Sequence, residues 1–157
     1  MLMIIPPKRL VLMQGIPGSG KTTVARKLID SFLAESMSIS YNWTAKKLST
    51  DDYREQPCGH YVHDISQNAA HHAKTQRACV NEMIDFTNLI VIDNTNIEKW
   101  QAAPYLALAS MYDYEVQVIS VQCSVADAKA RNASRDPGRR VPDGVIEAMH
   151  EKLEVLL

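Results

Sequence analysis

Leu10-Val-Leu-Met-Gln-Gly15-Ile-Pro-Gly-Ser-Gly-Lys21-Thr22-Thr23 is the stretch that decides how this chain folds. It opens on an apolar run, Leu10 to Met13, of the kind buried on both faces of a sheet. A glycine-rich turn then leads into a helical pattern from Thr22 to Ala34. Gly15 to Thr22 satisfies the spacing G-x-x-x-x-G-K-[ST] in the context that motif demands, after a strand and before a helix. Such a loop brings backbone N–H groups close to phosphate oxygens, and the helix behind it aims the positive end of its dipole at the same anions. Lys21 has the length to reach β- and γ-phosphates, and the Thr22 hydroxyl suits Mg²⁺. Gly15, Gly18, Ser19, Gly20, Lys21, Thr22 and Thr23 are therefore the expected nucleotide contacts, with ATP and Mg²⁺ as ligands.

Outward from the loop, apolar runs alternate with longer helical patterns along the chain, which is the signature of βαβ units and a parallel sheet. Leu89 to Ile92 reads as a second central strand ending in Asp93, Val116 to Val121 as a third, and Lys46 to Thr50 as a fourth. Helices are expected over 22–34, 66–86, 98–111, 124–135 and 142–156, giving a three-layer α/β architecture in one domain over 1–157. Asn96 is placed to cap the helix that carries Trp100, and Ser124 with Asp127 three residues on resembles a capping box. Pro142 suits the first turn of the last helix. Asp136-Pro-Gly-Arg-Arg140 reads as a loop between two helices.

Composition limits what such a domain does. Seventeen Lys and Arg against 18 Asp and Glu leave a net charge of −1. A protein that wraps long nucleic acid needs a large basic excess, so that class is disfavoured, whereas gripping a few phosphates is not. Cys58, Cys79 and Cys123 are odd in number and far apart, which suggests neither a disulfide framework nor a thiolate zinc site. Cys58 with His60, His63, His71 and His72 matches no strong zinc spacing either, because adjacent His71 and His72 point in different directions on a helix. Met1 to Ile5 is cut short by Pro6-Pro7, too brief for a secretion signal or a membrane span. A cytoplasmic protein with no membrane partner is the expectation.

The phosphate loop alone serves motors, GTPases and kinases equally, so other residues must discriminate. Asp51-Asp52-Tyr53-Arg54 follows the proposed fourth strand, and in open α/β sheets the carboxyl ends of strands face the ligand crevice. A carboxylate there can take the proton of an attacking hydroxyl, and Arg54 can hold an anionic group of the acceptor. The competing reading is a helix cap followed by a solvated helix. Asp93 stands where a carboxylate supports Mg²⁺, although Asp93-Asn-Thr-Asn96 also has the composition of a turn. Arg131 and Arg135, four apart, share a helix face, and Arg139 and Arg140 follow. An Arg lid closing over a transferring phosphoryl group is one reading, and a solvated basic helix end is the other.

Taken in order, the loop, Ser49-Thr-Asp-Asp-Tyr-Arg54, Ile92-Asp-Asn-Thr-Asn96, Arg131-Asn-Ala-Ser-Arg135, and Val141-Pro142 with Val145 and Met149 resemble the kinase domain of phage-type polynucleotide 5′-hydroxyl kinases. The resemblance runs from about Leu10 to Leu153. Ala70-His71, Gln76-Arg-Ala78, Trp100 and Pro104-Tyr105 also look like a related group of small ATP-binding P-loop proteins. The resemblance implies a parallel four-stranded sheet, Mg²⁺, Asp51 as general base, Arg54 on the acceptor's phosphate and Arg135 as the lid residue on the ATP phosphates, with Arg131 beside it. Thr50 stands where the phage-type enzymes carry Arg, which removes one contact to the acceptor strand. No phosphatase activity is implied.

These readings point to an ATP-dependent kinase of the 5′-hydroxyl end of DNA or RNA, touching only the end of the strand. The alternatives are a kinase of a small-molecule hydroxyl, such as a nucleoside, sugar or antibiotic, and an ATP-binding module without transfer activity. Lys46, Lys47, Arg54, Arg131, Arg135, Arg139 and Arg140 are expected to gather at the crevice, balanced by Glu147, Glu151 and Glu154 on the last helix.

Overall fold

The computed structural model describes residues 6–62 and 64–157, so the N-terminal run Met1 to Ile5 and His63 lie outside the described residues. Four strands, β1 (Arg9–Gln14), β2 (Ala45–Leu48), β3 (Leu89–Ile92) and β4 (Glu115–Ser120), form one parallel sheet in the order β2-β3-β1-β4. Five α-helices accompany them: α1 (Lys21–Ser38), α2 (Asn68–Ile84), α3 (Lys99–Tyr112), α4 (Val125–Ala133) and α5 (Asp143–Glu151). The chain winds one way from β1 to β2 and the other way from β3 to β4. The reversal lies between β1 and β3, which is where an open sheet of this kind leaves its ligand crevice.

Alternation along the central strands explains the layers. Leu10, Leu12, Ile90 and Ile92 pack with Cys79, Met83, Tyr105 and Ala109 of α2 and α3 on one face. Val11, Met13, Leu89 and Val91 pack with Ala25 and Phe32 of α1 on the other. With no polar face to present, these strands are apolar at nearly every position. Each Val, Leu, Ile, Met or Phe side chain so buried is worth about 1.5–3 kcal/mol relative to exposure. The buried residues of α2 fall at His71, Thr75, Cys79 and Met83, a strict four-residue stripe. His71 therefore belongs to the packed face and stacks on Tyr53, with ring centroids 6.2 Å apart.

Several boundaries differ from expectation. The fourth strand ends at Leu48, because Ser49 turns the chain: its hydroxyl accepts from the Asp51 N–H, Asp52 accepts from the Ser49 N–H, and 50–53 becomes a 3₁₀ turn. Asn96 does not cap α3. It takes a left-handed φ of 42° and donates to the Met13 carbonyl at 2.8 Å, while Gln101 accepts from the N–H groups of Ile97 and Glu98 at the helix start. Ser124 caps α4 as expected, its oxygen accepting from the Asp127 N–H at 3.0 Å. Pro142 lies one residue before α5, and that helix stops at Glu151. Glu154 thus sits in the tail beyond it and accepts from the Lys99 N–H. The stretch expected as a loop at 136–140 contains a short 3₁₀ turn, Pro137–Arg139.

Candidate active site

β1 delivers the phosphate loop to the crevice, and its neighbours hold it there. The Gly15 N–H donates to the Thr95 carbonyl at 3.0 Å, and the Gln14 carbonyl accepts from the Val121 N–H at 2.8 Å. Gly18 has φ +86°, and a Cβ built on it would meet the Ala128 carbonyl oxygen of α4 at 2.4 Å. Since that neighbour is backbone, it cannot swing away. Gly18→Ala is expected to lose ATP binding in calorimetry and to melt about 5–10 °C lower, from overpacking plus left-handed strain; ATP binding at wild-type affinity would refute this account of the loop.

Lys21 opens α1 behind the loop and is 8% exposed. Its ammonium donates to the Ile16 carbonyl at 3.0 Å. Burial lowers its pKa from 10.5 to about 8, opposed by the Asp93 carboxylate, reinforced by the Arg135 guanidinium and opposed again by Asp51. The structure thus gathers Asp51, Asp93 and Arg135, from three separate segments, into the electrostatic field of the loop lysine. Thr22 donates to Asp93 Oδ2 at 2.8 Å across the junction of α1 and β3. Asp93 is 7% exposed, and its other oxygen, Oδ1, is buried with no hydrogen-bond partner. A buried, unsatisfied carboxylate oxygen beside a threonine hydroxyl fits the donor set that Mg²⁺ prefers. Lys47 stands 3.9 Å from Asp93 Oδ2 and 3.6 Å from Asp52, so a cation of the chain already faces this carboxylate. Lys46, the preceding strand residue, projects from the opposite face.

Asp51 and Asp52 divide two tasks between them. Asp52 is the capping acid, whereas the Asp51 side chain, 60% exposed, turns outward. Its Oδ1 accepts from Arg54 Nη1 and from the Tyr61 hydroxyl, each at 2.9 Å. Arg54 is mostly spent inside the protein: Nη1 also donates to Tyr61 at 3.2 Å, Nη2 to Asn68 at 2.7 Å, and Nε is buried. It is placed to orient Asp51, with an Nη2 hydrogen left over for an acceptor. Thr50 is buried, bonded through N–H and hydroxyl to Asn94.

The two arginines of α4 differ. Arg131 Nη1 donates to the Gly18 and Ser19 carbonyls at 3.3 Å and so lies on the loop. Arg135 is exposed, its side chain makes no hydrogen bond among the described residues, and its carbonyl accepts from Arg140 Nε at 2.9 Å. Arg139 reaches across to Glu55 at 2.9 Å. Lys47, expected at the crevice, is there beside Asp93 and Asp52, whereas Tyr61 and Asn68 were not legible as site residues, since each enters only through its bond to Arg54 or Asp51 across a loop. Cys58 Sγ lies 3.4 Å from His60 Nδ1 in the 55–61 loop, and His71 is packed away from both.

A glycine loop at the end of β1, a threonine–aspartate pair across α1 and β3, and an arginine-bearing segment opposite define a small P-loop, kinase-like nucleotide-binding domain. The chain belongs to the AAA domain family (AAA_33), whose model matches residues 10–156. It is similar to human NEDD4-binding protein 2, 35% identical over 107 residues that cover 68% of this chain and 5% of that protein. The chain spans only 5–6% of the length of the curated relatives it matches. Among solved structures, a chain of the Pnkp1/Rnl/Hen1 RNA repair complex superposes with a TM-score of 0.73 at 19% identity, over 96% of this chain and 45% of that one. Kti12 of Chaetomium thermophilum, solved with ADP-AlF3, superposes at 0.67 and 20% identity, over 93% and 80%. At these identities the likeness is one of fold, and the expected three-layer P-loop architecture is the one observed. No helix among the described residues is long and apolar enough to cross a membrane.

Proposed function

We propose that the chain is an ATP-dependent polynucleotide kinase that transfers the γ-phosphate to the 5′-hydroxyl end of DNA or RNA. The observation that carries this reading is Asp51: an exposed carboxylate in the turn after β2, held through one oxygen by Arg54 and Tyr61, in the same turn whose Asp52 meets the Lys47 that also faces Asp93. In the transfer, Asp51 takes the proton of the acceptor hydroxyl as that oxygen bonds to the γ-phosphorus. The bond from the γ-phosphorus to the bridging oxygen breaks, and its electron pair leaves with ADP. Lys21 and Arg135 face the charge that spreads over the phosphoryl oxygens, which is where most of the barrier reduction in phosphoryl transfer arises. Thr22 and Asp93 would hold Mg²⁺, which neutralises phosphate charge when bound. The fold is shared with a chain of an RNA repair complex and equally with an APS kinase and a gluconokinase, so the acceptor class rests on the site residues, Arg54 beside Asp51 above all. The balanced net charge is consistent with holding only a strand end.

The deciding experiment supplies labelled ATP with 5′-hydroxyl oligonucleotides of DNA and RNA, their 5′-phosphorylated counterparts, and a pool of nucleosides and sugars. Label is expected on the 5′-hydroxyl oligonucleotides alone. Label only on small molecules would replace this reading with the metabolite kinase, and tight ATP binding with no transfer would replace it with a binding module.

A further inference from the structure

The segment 54–62 lies outside the phosphate loop and is shaped by its own backbone bonds. Gln56-Pro-Cys-Gly59 is a β-turn with proline second and glycine fourth, closed by the Gly59 N–H on the Gln56 carbonyl at 2.8 Å. The Val62 N–H donates to the Arg54 carbonyl at 2.9 Å, and Glu55 pairs with Tyr61 as an antiparallel bridge. Direct opposition in such a pair puts the Glu55 and Tyr61 side chains on the same face. That face meets the segment after α4. Arg139 Nη2 donates to Glu55 Oε1 at 2.9 Å, and the same guanidinium lies 5.0 Å from the centroid of the Tyr61 ring. At its far end the Tyr61 hydroxyl donates to Asp51 Oδ1 at 2.9 Å. One side chain thus touches both the Arg-bearing segment and the carboxylate.

We propose that Tyr61 is a positioning residue that ties the Asp51 carboxylate to the Arg-bearing lid, so that seating Arg139 on the 55–61 hairpin sets which oxygen of Asp51 meets the acceptor hydroxyl. The inference rests on the reading of Asp51 as the base. Both donors, Arg54 Nη1 and the Tyr61 hydroxyl, bond to Oδ1, and Oδ2 takes no hydrogen bond among the described residues. Rotation about the terminal carboxylate torsion is soft on its own, so two donors on one oxygen hold the other oxygen outward. The hydroxyl keeps its proton at neutral pH, and burial raises the Tyr61 pKa further from its ordinary value of 10. Its ring is independently engaged by Arg139, an attraction of the kind that aligns a guanidinium over an aromatic face. Movement of the lid away from the hairpin would therefore loosen the base as well as the phosphate contacts, and phosphoryl transfer would be committed only with the lid seated.

The test uses the whole chain and four substitutions, alone and in pairs. Tyr61→Phe keeps the ring and its Arg139 contact and deletes only the hydroxyl. It is expected to lower kcat about 10- to 100-fold, the usual worth of a hydrogen bond to a charged group, with the KM for ATP unchanged. In an Asp51→Asn background the same substitution is expected to cost less than about twofold, because it acts through the carboxylate. Arg139→Ala is expected to lower kcat in the wild-type chain and to add little once Tyr61→Ala is present. A wild-type kcat for Tyr61→Phe, alongside a slow Asp51→Asn, overturns the positioning role and leaves the kinase reading intact. So does a full, multiplicative loss in the Asp51→Asn background. A wild-type rate for Asp51→Asn itself overturns the base assignment beneath both.

Discussion

Asp51→Asn is expected to slow transfer to a 5′-hydroxyl by about 10²–10⁴-fold, the range for removing a general base. ATP affinity and melting temperature should barely change. The geometry makes this substitution unusually clean. Asparagine presents a carbonyl oxygen where Oδ1 stood, so Arg54 and Tyr61 keep their acceptor and the hairpin keeps its anchor. What disappears is the basic oxygen facing outward and one negative charge in the field of Lys21. Single-turnover transfer from labelled ATP, with ATP binding measured separately by calorimetry, isolates the chemical step. Transfer at the wild-type rate would remove Asp51 from the chemistry and leave the exposed carboxylate as a surface ion pair with Arg54.

The opposite combination is expected at Lys21, where a substitution should damage function and improve stability. Confining an ammonium at 8% exposure lowers its pKa from 10.5 to about 8, equivalent to roughly 3 kcal/mol against the folded chain at neutral pH. Methionine fills the same space without the charge. The Ile16 carbonyl, which the ammonium bonds, retains the Ser19 N–H as a partner at 3.1 Å. Lys21→Met is therefore expected to raise the melting temperature by several degrees while lowering phosphoryl transfer about 10²–10³-fold, the loss seen when one preorganised charge donor is removed. The pH dependence carries a signed check. Between pH 8 and 10.5 the unfolded chain holds the lysine proton that the folded chain has released, so this group adds stability as pH rises through that window. Cys79 acts in the other direction, since burial pushes its thiol up to about 12. The difference between wild type and Lys21→Met in urea unfolding at pH 7 and pH 10 thus isolates the lysine: the gap should narrow at high pH. An equal gap at both would show that Lys21 is not charged and confined as the geometry requires.

How much of this was visible beforehand follows from the range over which each determinant acts. β1, the phosphate loop and α1 are contiguous, and their apolar run, glycines and Lys21-Thr22 each act within a few residues. β3 was legible to the residue because Leu89-Ile-Val-Ile92 is apolar at every position, as a strand covered on both faces must be. Ser124 was legible as a cap because a cap bonds its own helix. Asn96 departs from the expected cap for the converse reason: its amide satisfies the Met13 carbonyl, 83 residues away, and local rules cannot register that demand. The last helix ends before its pattern predicts, because the tail after Glu151 is held by distant partners, Ile97 and Lys99.

The sequence by itself determined that this chain builds a parallel α/β sheet around a phosphate-binding loop, because periodicity and the G-x-x-x-x-G-K-T spacing are properties of neighbouring residues. Only the tertiary structure decided how the site is wired. Thr22 finds Asp93 over 71 residues, and Arg139 finds Glu55 over 84. Of two adjacent aspartates, one caps a turn and the other turns outward to meet Arg54 and Tyr61. Those choices depend on which strand ends the crossing helices bring side by side, and a short-range pattern contains no term for that.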